Sequence, residues 1–600
     1  MLVCLIFKDL LLERAVGMSE VCVELVGKLV EEMLGLSKEE LSPSDNLISL
    51  GLGSLDIMRI AGLLTKNGCN VTFSELVSNP CMASWVNFAR ERSARSSSNG
   101  SPLLGSANYS KGDPFPITSV QHAYMVGRRD GQELGGTACH AYMEFECGSL
   151  DAAKLERAVE LLILRHPMLR ARFSDDGTAR IEDKVTWKGL TTYRVEGAGN
   201  PDSRIEGIRQ ELSHLRFDIE QDDLIDVRLT VVSPKRTIMH INVDLLAADV
   251  LSIQVLLEDL AHLYDGTDLA PIEIDFMEYA RRTGIGEDAR NEDREYWLNR
   301  IDNMPGGPSL PLKAPMESIK RSQFTRMEYL IDSKSWKNFT EKGRQIGVTQ
   351  SMGIAAVYAK ALSRWSEDKK FLLNLPLFNR KPIHPDVDKI VSDFTSLILL
   401  EADCANAISL LELASQMQGR FQQDVAHSSF GAVEVLRELS HRCPNDPKKA
   451  PVVFASNIGT QFISNKVEDV FGPLSKMLAE TPQVLLDHQI YDHKNGLLLA
   501  WDYVSELLDD KIAKQMFEAY CTAVRFYCEN DWSEPFPDLL PPSQRAARAE
   551  ANSEGADLGG GTLHGRFFAR AQAEPDAPAL RWGADGEATY GELAGRALRI

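Results

Sequence analysis

The amino-acid sequence predicts a multidomain protein, in which a small all-α bundle precedes a large block of mixed α/β structure. The chain has 600 residues, several times the usual size of one domain. Two stretches rich in small, polar and turn-forming residues, 96–114 and 535–561, lack apolar periodicity and indicate linkers. We therefore expect separate units at 18–95, 115–534 and 562–600.

The N-terminal unit is predicted to be a bundle of four helices. Its first helix is indicated by apolar residues that recur every four positions, namely Val21, Leu25, Leu29 and Met33. Further helix starts are indicated by capping patterns at Ser54, Thr72 and Asn79.

The central block is predicted to alternate strands and helices. Residues 237–243 alternate as a half-buried strand does, and apolar residues from Ile253 to Tyr264 follow helical spacing. The turn between them spans Asp244 to Ser252. Such turns often carry function, because a rigid scaffold positions an exposed loop.

The composition excludes several classes of function. The 65 Lys and Arg against 86 Asp and Glu give a net charge of −21, which disfavours a nucleic-acid partner. Ten cysteines are scattered without a CxxC pair, which predicts reduced thiols in the cytoplasm and no zinc or other metal site. No window approaches the roughly 20 apolar residues of a membrane span.

Ser54 is the first residue that points to chemistry. Gly51 and Gly53 precede it, so its hydroxyl is expected at a helix start that another protein's backbone can approach. In isolation a simple N-cap would explain it. The surrounding runs, DNLISLGLGSLDIMR and VTFSELVSNPCMASW, resemble carrier domains of the aryl-carrier type. That resemblance implies that a phosphopantetheinyl transferase attaches 4′-phosphopantetheine to Ser54, although Gly53 stands where the family usually has Asp.

A second candidate is the turn that carries Asp244, Asp249 and Ser252 in the pattern DxxxxDxxS. Two carboxylates at a strand end could form an acid/base pair, a metal site or a structural group that satisfies backbone donors and an arginine. Asp249 lies at the expected N-cap of the next helix, which favours a mainly structural role for it.

The central block resembles the heterocyclization domains of nonribosomal peptide synthetases, which carry DxxxxDxxS where other condensation domains carry HHxxxDG. Seven further segments match that pattern in order: FPITSVQHAYMVGR, RHPMLRARF, YWLNRIDNMPGGPSLPL, FLLNLPLFNRKPIHPDVDKIVSDFTSLILL, PVVFASNIG, TPQVLLDHQ and AWDY. The resemblance implies two chloramphenicol-acetyltransferase-like lobes of mixed α/β structure, which form a V with a tunnel between them.

The resemblance also implies the reaction and its residues. These domains join an acyl thioester to a carrier-bound Cys, Ser or Thr and then remove water to form a thiazoline or oxazoline ring. Asp487 is the first choice for acid/base catalysis of ring closure, with hydrogen-bonding support from Asn374 and Ser456. Asp244 and Asp249 are the other catalytic candidates. A structural role, in which the buried side-chain amide of Asn374 forms hydrogen bonds between strands, would explain this residue equally well.

Two positions depart from the family pattern. Ala455 replaces the usual Thr beside the proposed catalytic group, and Ser392 replaces a usual Gly. Two histidines, His166 and His488, could act as bases, but neither lies in the pattern that the family uses for catalysis. We expect both to be hydrogen-bonded structural residues.

The last segment, with FFARAQAEPDAPAL followed by TYGEL, resembles the start of an adenylation domain, here incomplete and without a phosphate-binding loop. Together the segments resemble an aryl-carrier and heterocyclization module of a siderophore synthetase. The implied partners are a stand-alone aryl-acid AMP ligase, which loads the carrier, and a downstream peptidyl carrier. Two alternatives stay open, a domain that forms only the amide and a non-catalytic carrier and docking module.

Overall fold

The structure is a computed structural model. It describes residues 23–31, 33–34, 36, 41–48, 50, 52, 57, 60–61, 63–64, 69, 71, 75–76, 79–93, 112–195, 200–283, 287–378, 380–381, 383–443, 448–553, 562, 564–582 and 586–599. The chain divides into two compact units, Met1–Leu539 and Leu540–Ile600.

The described part of the carrier region is helical around a small apolar core. Residues 23–31 are helical, and helix α1 spans Met82–Ser93. Val26, Val30 and Trp85 are fully buried, and the Trp85 indole donates a hydrogen bond to the Leu76 carbonyl at 2.9 Å. Ser54 and Gly53 lie outside the described residues.

The first lobe of the central block is built on a five-stranded sheet with strand order β12-β2-β7-β6-β5. These strands are β2 (His140–Cys147), β5 (Thr191–Arg194), β6 (Ile225–Ser233), β7 (Arg236–Asp244) and β12 (Leu474–Glu480). The helices of this lobe are α2 (Ser119–Gly127), α3 (Ala152–Arg165), α4 (Pro201–Leu212), α5 (Val250–Tyr264), α6 (Phe276–Thr283) and α12 (Asn465–Phe471). A small sheet beside it contains β1 (Phe115–Pro116), β3 (Ala171–Ser174) and β4 (Thr178–Ile181).

The prediction that 237–243 is half-buried is wrong, because both faces of β7 are covered. Met239 and Ile241 pack into the main core of this lobe with helices α3 and α5. Ile238, on the opposite face, packs against Ile205 and Leu212 of α4. Helix α4 thus covers the second face of β7, so the alternating sequence pattern does not correspond to a face exposed to solvent.

The second lobe is built on a six-stranded sheet with strand order β10-β9-β11-β13-β14-β8. These strands are β8 (Phe324–Asp332), β9 (Lys370–Phe378), β10 (Thr395–Asp403), β11 (Val452–Gln461), β13 (Leu486–His493) and β14 (Gly496–Val504). The helices are α7 (Glu287–Leu298), α8 (Ser333–Gln345), α9 (Gln350–Trp365), α10 (Leu410–Ala426), α11 (Ala432–Arg442) and α13 (Asp510–Glu529). Helix α9 is almost entirely buried and packs between α10 and α13.

The chain joins the two lobes by more than one connection. Strand β12 belongs to the first-lobe sheet, although β11 and β13, which flank it in sequence, belong to the second. This exchange fits the predicted two-lobed architecture of mixed α/β structure.

The second unit contains α14 (Pro542–Ser553), α15 (Gly565–Ala573), the hairpin of β15 (Pro578–Trp582) and β16 (Gly586–Thr589), and α16 (Tyr590–Ala597). Thr589 and Glu592 form a capping box at the start of α16. Across all described helices, none has the length and apolar character that a membrane crossing requires. Seven described cysteines are free thiols, but Cys69 is disulfide-bonded, so the prediction of reduced thiols throughout is wrong there.

Candidate active site

A cavity of about 560 Å³ lies between the two lobes. Tyr124, Leu245 and Asp249 line it from the first lobe, and Asn374 and Asp487 line it from the second. The structure therefore brings together three of the predicted site residues, Asp249, Asn374 and Asp487.

The second-lobe wall of the cavity is one face of the sheet. Strand β11 is parallel to both of its neighbours, and Val453 pairs with Asn374 of β9 and with Asp487 of β13. Because successive strand residues face opposite sides, Gln489 and Tyr491 lie on the same face as Asp487. Both residues line the cavity.

Asp487 is buried in this wall with an exposed fraction of 6%. Its Oδ2 accepts a hydrogen bond from Gln489 Nε2 at 2.5 Å, while its Oδ1 has no partner within the described protein. The Tyr491 hydroxyl in turn donates to Gln489 Oε1. Burial raises the pKa of Asp487 to about 6, against the hydrogen bond from Gln489 and the charge of Arg326, which lower it. A carboxyl with this pKa can both accept and donate a proton near neutral pH.

A second buried carboxyl, Asp502, pairs directly opposite Asp487 in the antiparallel register of β13 and β14. Arg326 of β8 donates to Asp502 Oδ2 at 2.7 Å. Burial nevertheless raises the pKa of Asp502 to about 8. Since Arg326 is bound to Asp502, Asp487 has no ion-pair partner among the described residues. No sequence pattern had assigned a role to Asp502 or Arg326.

Asn374 and Ser456 differ in their relation to the cavity. Asn374 is half-buried in the cavity wall, and its Oδ1 has no hydrogen-bond partner within the described protein. Ser456 lies on the opposite face of β11, where its hydroxyl contacts the hydroxyl of Ser351 at 2.8 Å. Its neighbour Ala455 lines the cavity and pairs with Gln489. The structure therefore separates Ser456 from Asp487.

Asp244 lies in a buried ion pair beside the cavity rather than in its wall. Arg128 donates to Asp244 Oδ2 at 2.6 Å, and the Leu246 backbone N–H donates to Oδ1 at 3.0 Å. Both oxygens of this carboxylate are thus occupied. The pattern of bonds is that of a group that holds the turn after β7.

Asp249 is the N-cap of α5, as expected, and its Oδ1 accepts the Ser252 backbone N–H at 2.7 Å. Arg380 donates to Asp249 Oδ1 at 2.9 Å and to the Ser252 hydroxyl at 2.8 Å. Ser252 also donates to the carbonyl of Ser392 at 2.6 Å. Ser392 does not have a positive φ, so its backbone does not require the glycine that is usual there.

The two histidines are buried and hydrogen-bonded, as predicted, and neither lines the cavity. His488 is fully buried and contacts the Tyr520 hydroxyl at 2.7 Å and the Ala500 carbonyl at 3.0 Å. Burial lowers the pKa of His488 to about 3. His166 Nε2 lies 2.9 Å from an oxygen of Asp259. Within the described ranges, no group of His, Cys, Asp and Glu side chains could hold a metal ion.

The fold and the cavity agree with comparisons to known families. The condensation-domain family matches residues 115–530, and the phosphopantetheine attachment site matches residues 24–89. Because the first match covers more than half of the chain, the chain belongs to the condensation-domain family.

Similarity to individual proteins indicates which kind of condensation domain this chain resembles. The chain is 35% identical to phenyloxazoline synthase MbtB of Mycolicibacterium paratuberculosis over 585 residues, which cover 95% of this chain and 49% of that protein. It is 35% identical to pyochelin synthetase PchE of Pseudomonas aeruginosa over 97% of this chain and 40% of that protein. The chain thus spans half or less of the length of these relatives. The predicted carrier and condensation-type domains are confirmed, and these similarities are to synthetases of the kind predicted from the sequence.

A solved structure supports the fold. The cyclization-docking bidomain of EpoB from Sorangium cellulosum is 29% identical to this chain, with a TM-score of 0.67 over 76% of this chain and 92% of that one. The family match at 24–89 also establishes 4′-phosphopantetheine as the covalent cofactor of the carrier domain. The buried, unpartnered Oδ1 of Asn374 suits an amide N–H of this arm or of the substrate that it delivers.

Proposed function

We propose that this chain joins a carrier-bound aryl acyl thioester to a carrier-bound Cys, Ser or Thr and cyclodehydrates the product to a thiazoline or oxazoline. The observation that carries the proposal is Asp487, a buried carboxyl with one unbonded oxygen on the cavity wall. Among the described residues it has no ion-pair partner, and its pKa of about 6 suits proton transfer in both directions. The relatives' names, phenyloxazoline synthase and pyochelin synthetase, accord with this chemistry.

The residues divide the chemistry as follows. The 4′-phosphopantetheine arm supplies the thioester that activates the acyl group. In ring closure, the acceptor's thiol or hydroxyl adds to the new amide carbonyl while Asp487 takes its proton. Asp487 returns this proton to the former carbonyl oxygen, which becomes a hydroxyl. The carbon–oxygen bond then breaks as Asp487 transfers the nitrogen's proton to that hydroxyl, so that water leaves and C=N forms. Asn374 Oδ1 orients the amide N–H, and Gln489 holds Asp487 in place.

The other predicted site residues act indirectly in this proposal. Asp244 and Asp249 fix the turn between β7 and α5 through Arg128 and Arg380, since their oxygens are already bonded. Ser456 contacts Ser351 on the face of β11 opposite the cavity and so stabilises the cavity wall. These contacts give the DxxxxDxxS motif a positioning role.

The proposal extends to the partners of the chain. A phosphopantetheinyl transferase modifies Ser54, a stand-alone aryl-acid AMP ligase loads it, and a downstream peptidyl carrier presents the amino acid. Residues 562–600 begin an adenylation domain, which the TYGEL resemblance and the capping box at Thr589 support. The seven free thiols among the described cysteines fit a cytoplasmic location.

The proposal is tested by replacing Asp487 with Asn in the full chain. The chain is loaded with salicylate and mixed with a cysteinyl-loaded carrier, and the products are followed by mass spectrometry. Ring formation should fall by about a hundred- to ten-thousandfold while the amide still forms. Asp469→Asn, an exposed carboxyl on α12, is the matched control and should match the wild type.

The same experiment separates the alternatives. If wild type yields the amide and never the ring, the domain only condenses, which the loss of the family's Thr at Ala455 would explain. If Asp487→Asn forms the ring at the wild-type rate, the catalytic assignment of Asp487 is wrong. If neither product forms with any aryl donor, the non-catalytic docking function is favoured.

A further inference from the structure

Asp393 is another carboxyl of the cavity, and the proposed ring closure does not use it. It lines the cavity wall and has an exposed fraction of 1%. Its Oδ1 accepts the backbone N–H of Thr395 at 3.0 Å, whereas its Oδ2 has no partner within the described protein. No ion pair of the described residues includes it. A buried carboxylate without a cation is unfavourable, so a ligand with a positive or donor group would complete it.

The DxxxxDxxS motif holds the backbone on both sides of Asp393. The backbone N–H of Asp249 donates to the Ser392 carbonyl at 3.1 Å, and the Ser392 N–H donates to the Ser252 hydroxyl at 3.1 Å. The Phe394 N–H donates to Asp249 Oδ2 at 3.3 Å. The motif therefore fixes residues 392 and 394, and through them it directs Asp393 into the cavity.

Arg380, which binds the motif beside this segment, forms its ion pair with Asp249 and not with Asp393. The guanidinium of Arg380 bonds to Asp249 and Ser252 and stacks over the Phe394 ring, 4.3 Å from its centroid. Burial raises the pKa of Asp393 to about 7, with a further contribution from the charge of Asp249. The carboxyl can thus exchange a proton near neutral pH.

Asp393 and Asp487 lie in different parts of the cavity. Asp393 precedes β10, the edge strand, and the sheet order β10-β9-β11-β13 places three strand spacings, about 14 Å, between β10 and the strand of Asp487. Two carboxyls placed by strands this far apart suit two different steps. Amide formation, which precedes ring closure, requires removal of a proton from the acceptor's ammonium group.

We infer that Asp393 binds the α-amino group of the incoming acceptor amino acid and removes its proton for amide formation. This inference rests on the proposed function. The ammonium gives one proton to the Asp393 carboxylate, and the amine nitrogen then attacks the thioester carbonyl. The nitrogen–carbon bond forms, the carbon–sulfur bond breaks, and the departing sulfur takes the second nitrogen proton. Asp393 returns its proton to solvent.

The test uses the full chain in its phosphopantetheinylated form and measures two reactions. The first is amide formation between the salicyl-loaded chain and cysteinyl-pantetheine. The second is ring closure of a preformed N-salicyloyl-cysteinyl-pantetheine thioester. Asp393→Asn should slow the first about a hundredfold and raise the acceptor concentration needed for half-maximal rate, while the second stays within about twofold of wild type. Asp393→Glu should restore part of the first reaction.

The controls make each outcome decisive. Asp388→Asn, an exposed carboxyl in the same loop, should leave both reactions unchanged. Asp487→Asn should show the reverse pattern, with ring closure lost and amide formation retained. Amide formation within about threefold of wild type in Asp393→Asn, or an equal loss of both reactions, would overturn the inference. A wild-type chain that forms no amide with any aryl donor would instead overturn the proposed function itself.

Discussion

The hydrogen bond from Gln489 to Asp487 gives the sharpest quantitative prediction. This bond, at 2.5 Å, stabilises the charged form of Asp487 and lowers its pKa. A hydrogen bond to a charged group contributes about 1.5–3 kcal/mol, and one pKa unit corresponds to about 1.4 kcal/mol. Gln489→Met should therefore raise the pKa of Asp487 by roughly one to two units, from about 6 to between about 7 and 8.

The assay is the pH dependence of ring closure of a preformed N-salicyloyl-cysteinyl thioester. In the proposed ring closure, ionised Asp487 accepts the nucleophile's proton, so the rate should rise with pH through the pKa of this group. Near pH 6.5 the Gln489→Met rate should be about three- to 25-fold below wild type, and the two rates should converge near pH 9. Gln461→Met, an exposed residue at the end of β11, is the control. An unchanged inflection in Gln489→Met would refute the reasoning.

Three further changes test other parts of the account. Arg128→Met leaves Asp244 buried without its cation and should lower the free energy of unfolding by about 3–5 kcal/mol in a urea titration, and an equal midpoint would contradict the ion pair. Ala455→Thr adds the hydroxyl that is usual in the family to the cavity wall near Asp487 and should speed ring closure by up to about tenfold. A slower reaction would show that the absence of this hydroxyl does not limit the rate of the wild type. Ser54→Ala should prevent the phosphopantetheine mass increment after treatment with the transferase, and a retained increment would place the attachment elsewhere.

The elements with strong local signals could be predicted from the sequence. The helical spacing after Ser252 predicted α5, and Asp249 caps it because a carboxylate before an apolar helical run accepts the first free N–H groups. The burial of β7 could not be predicted in this way. Its second covering layer is α4, and the packing of Ile238 against Leu212 depends on tertiary structure rather than on local pattern.

The residues of the candidate site likewise divide into those that sequence motifs predict and those that depend on tertiary structure. Asp487 and Asn374 were found because their motifs resemble a known family, and both line the cavity. Asp502 and Arg326 were missed because they pair across two strands that are distant in sequence, and only the register of β13 and β14 places Asp502 opposite Asp487. The family resemblance grouped Ser456 with Asp487, but the two residues lie on opposite faces of the sheet. The parallel register of β11 and β13 decides which residues share a face, and no local pattern reveals that register.

Intact mass spectrometry shows whether this chain closes a ring. The phosphopantetheinylated chain is loaded with salicylate and mixed with a cysteinyl-loaded downstream carrier. We expect the second carrier to gain a product one water lighter than the salicyl-cysteinyl amide. Accumulation of the full-mass amide alone, with Cys, Ser and Thr each tested as acceptor, would contradict it.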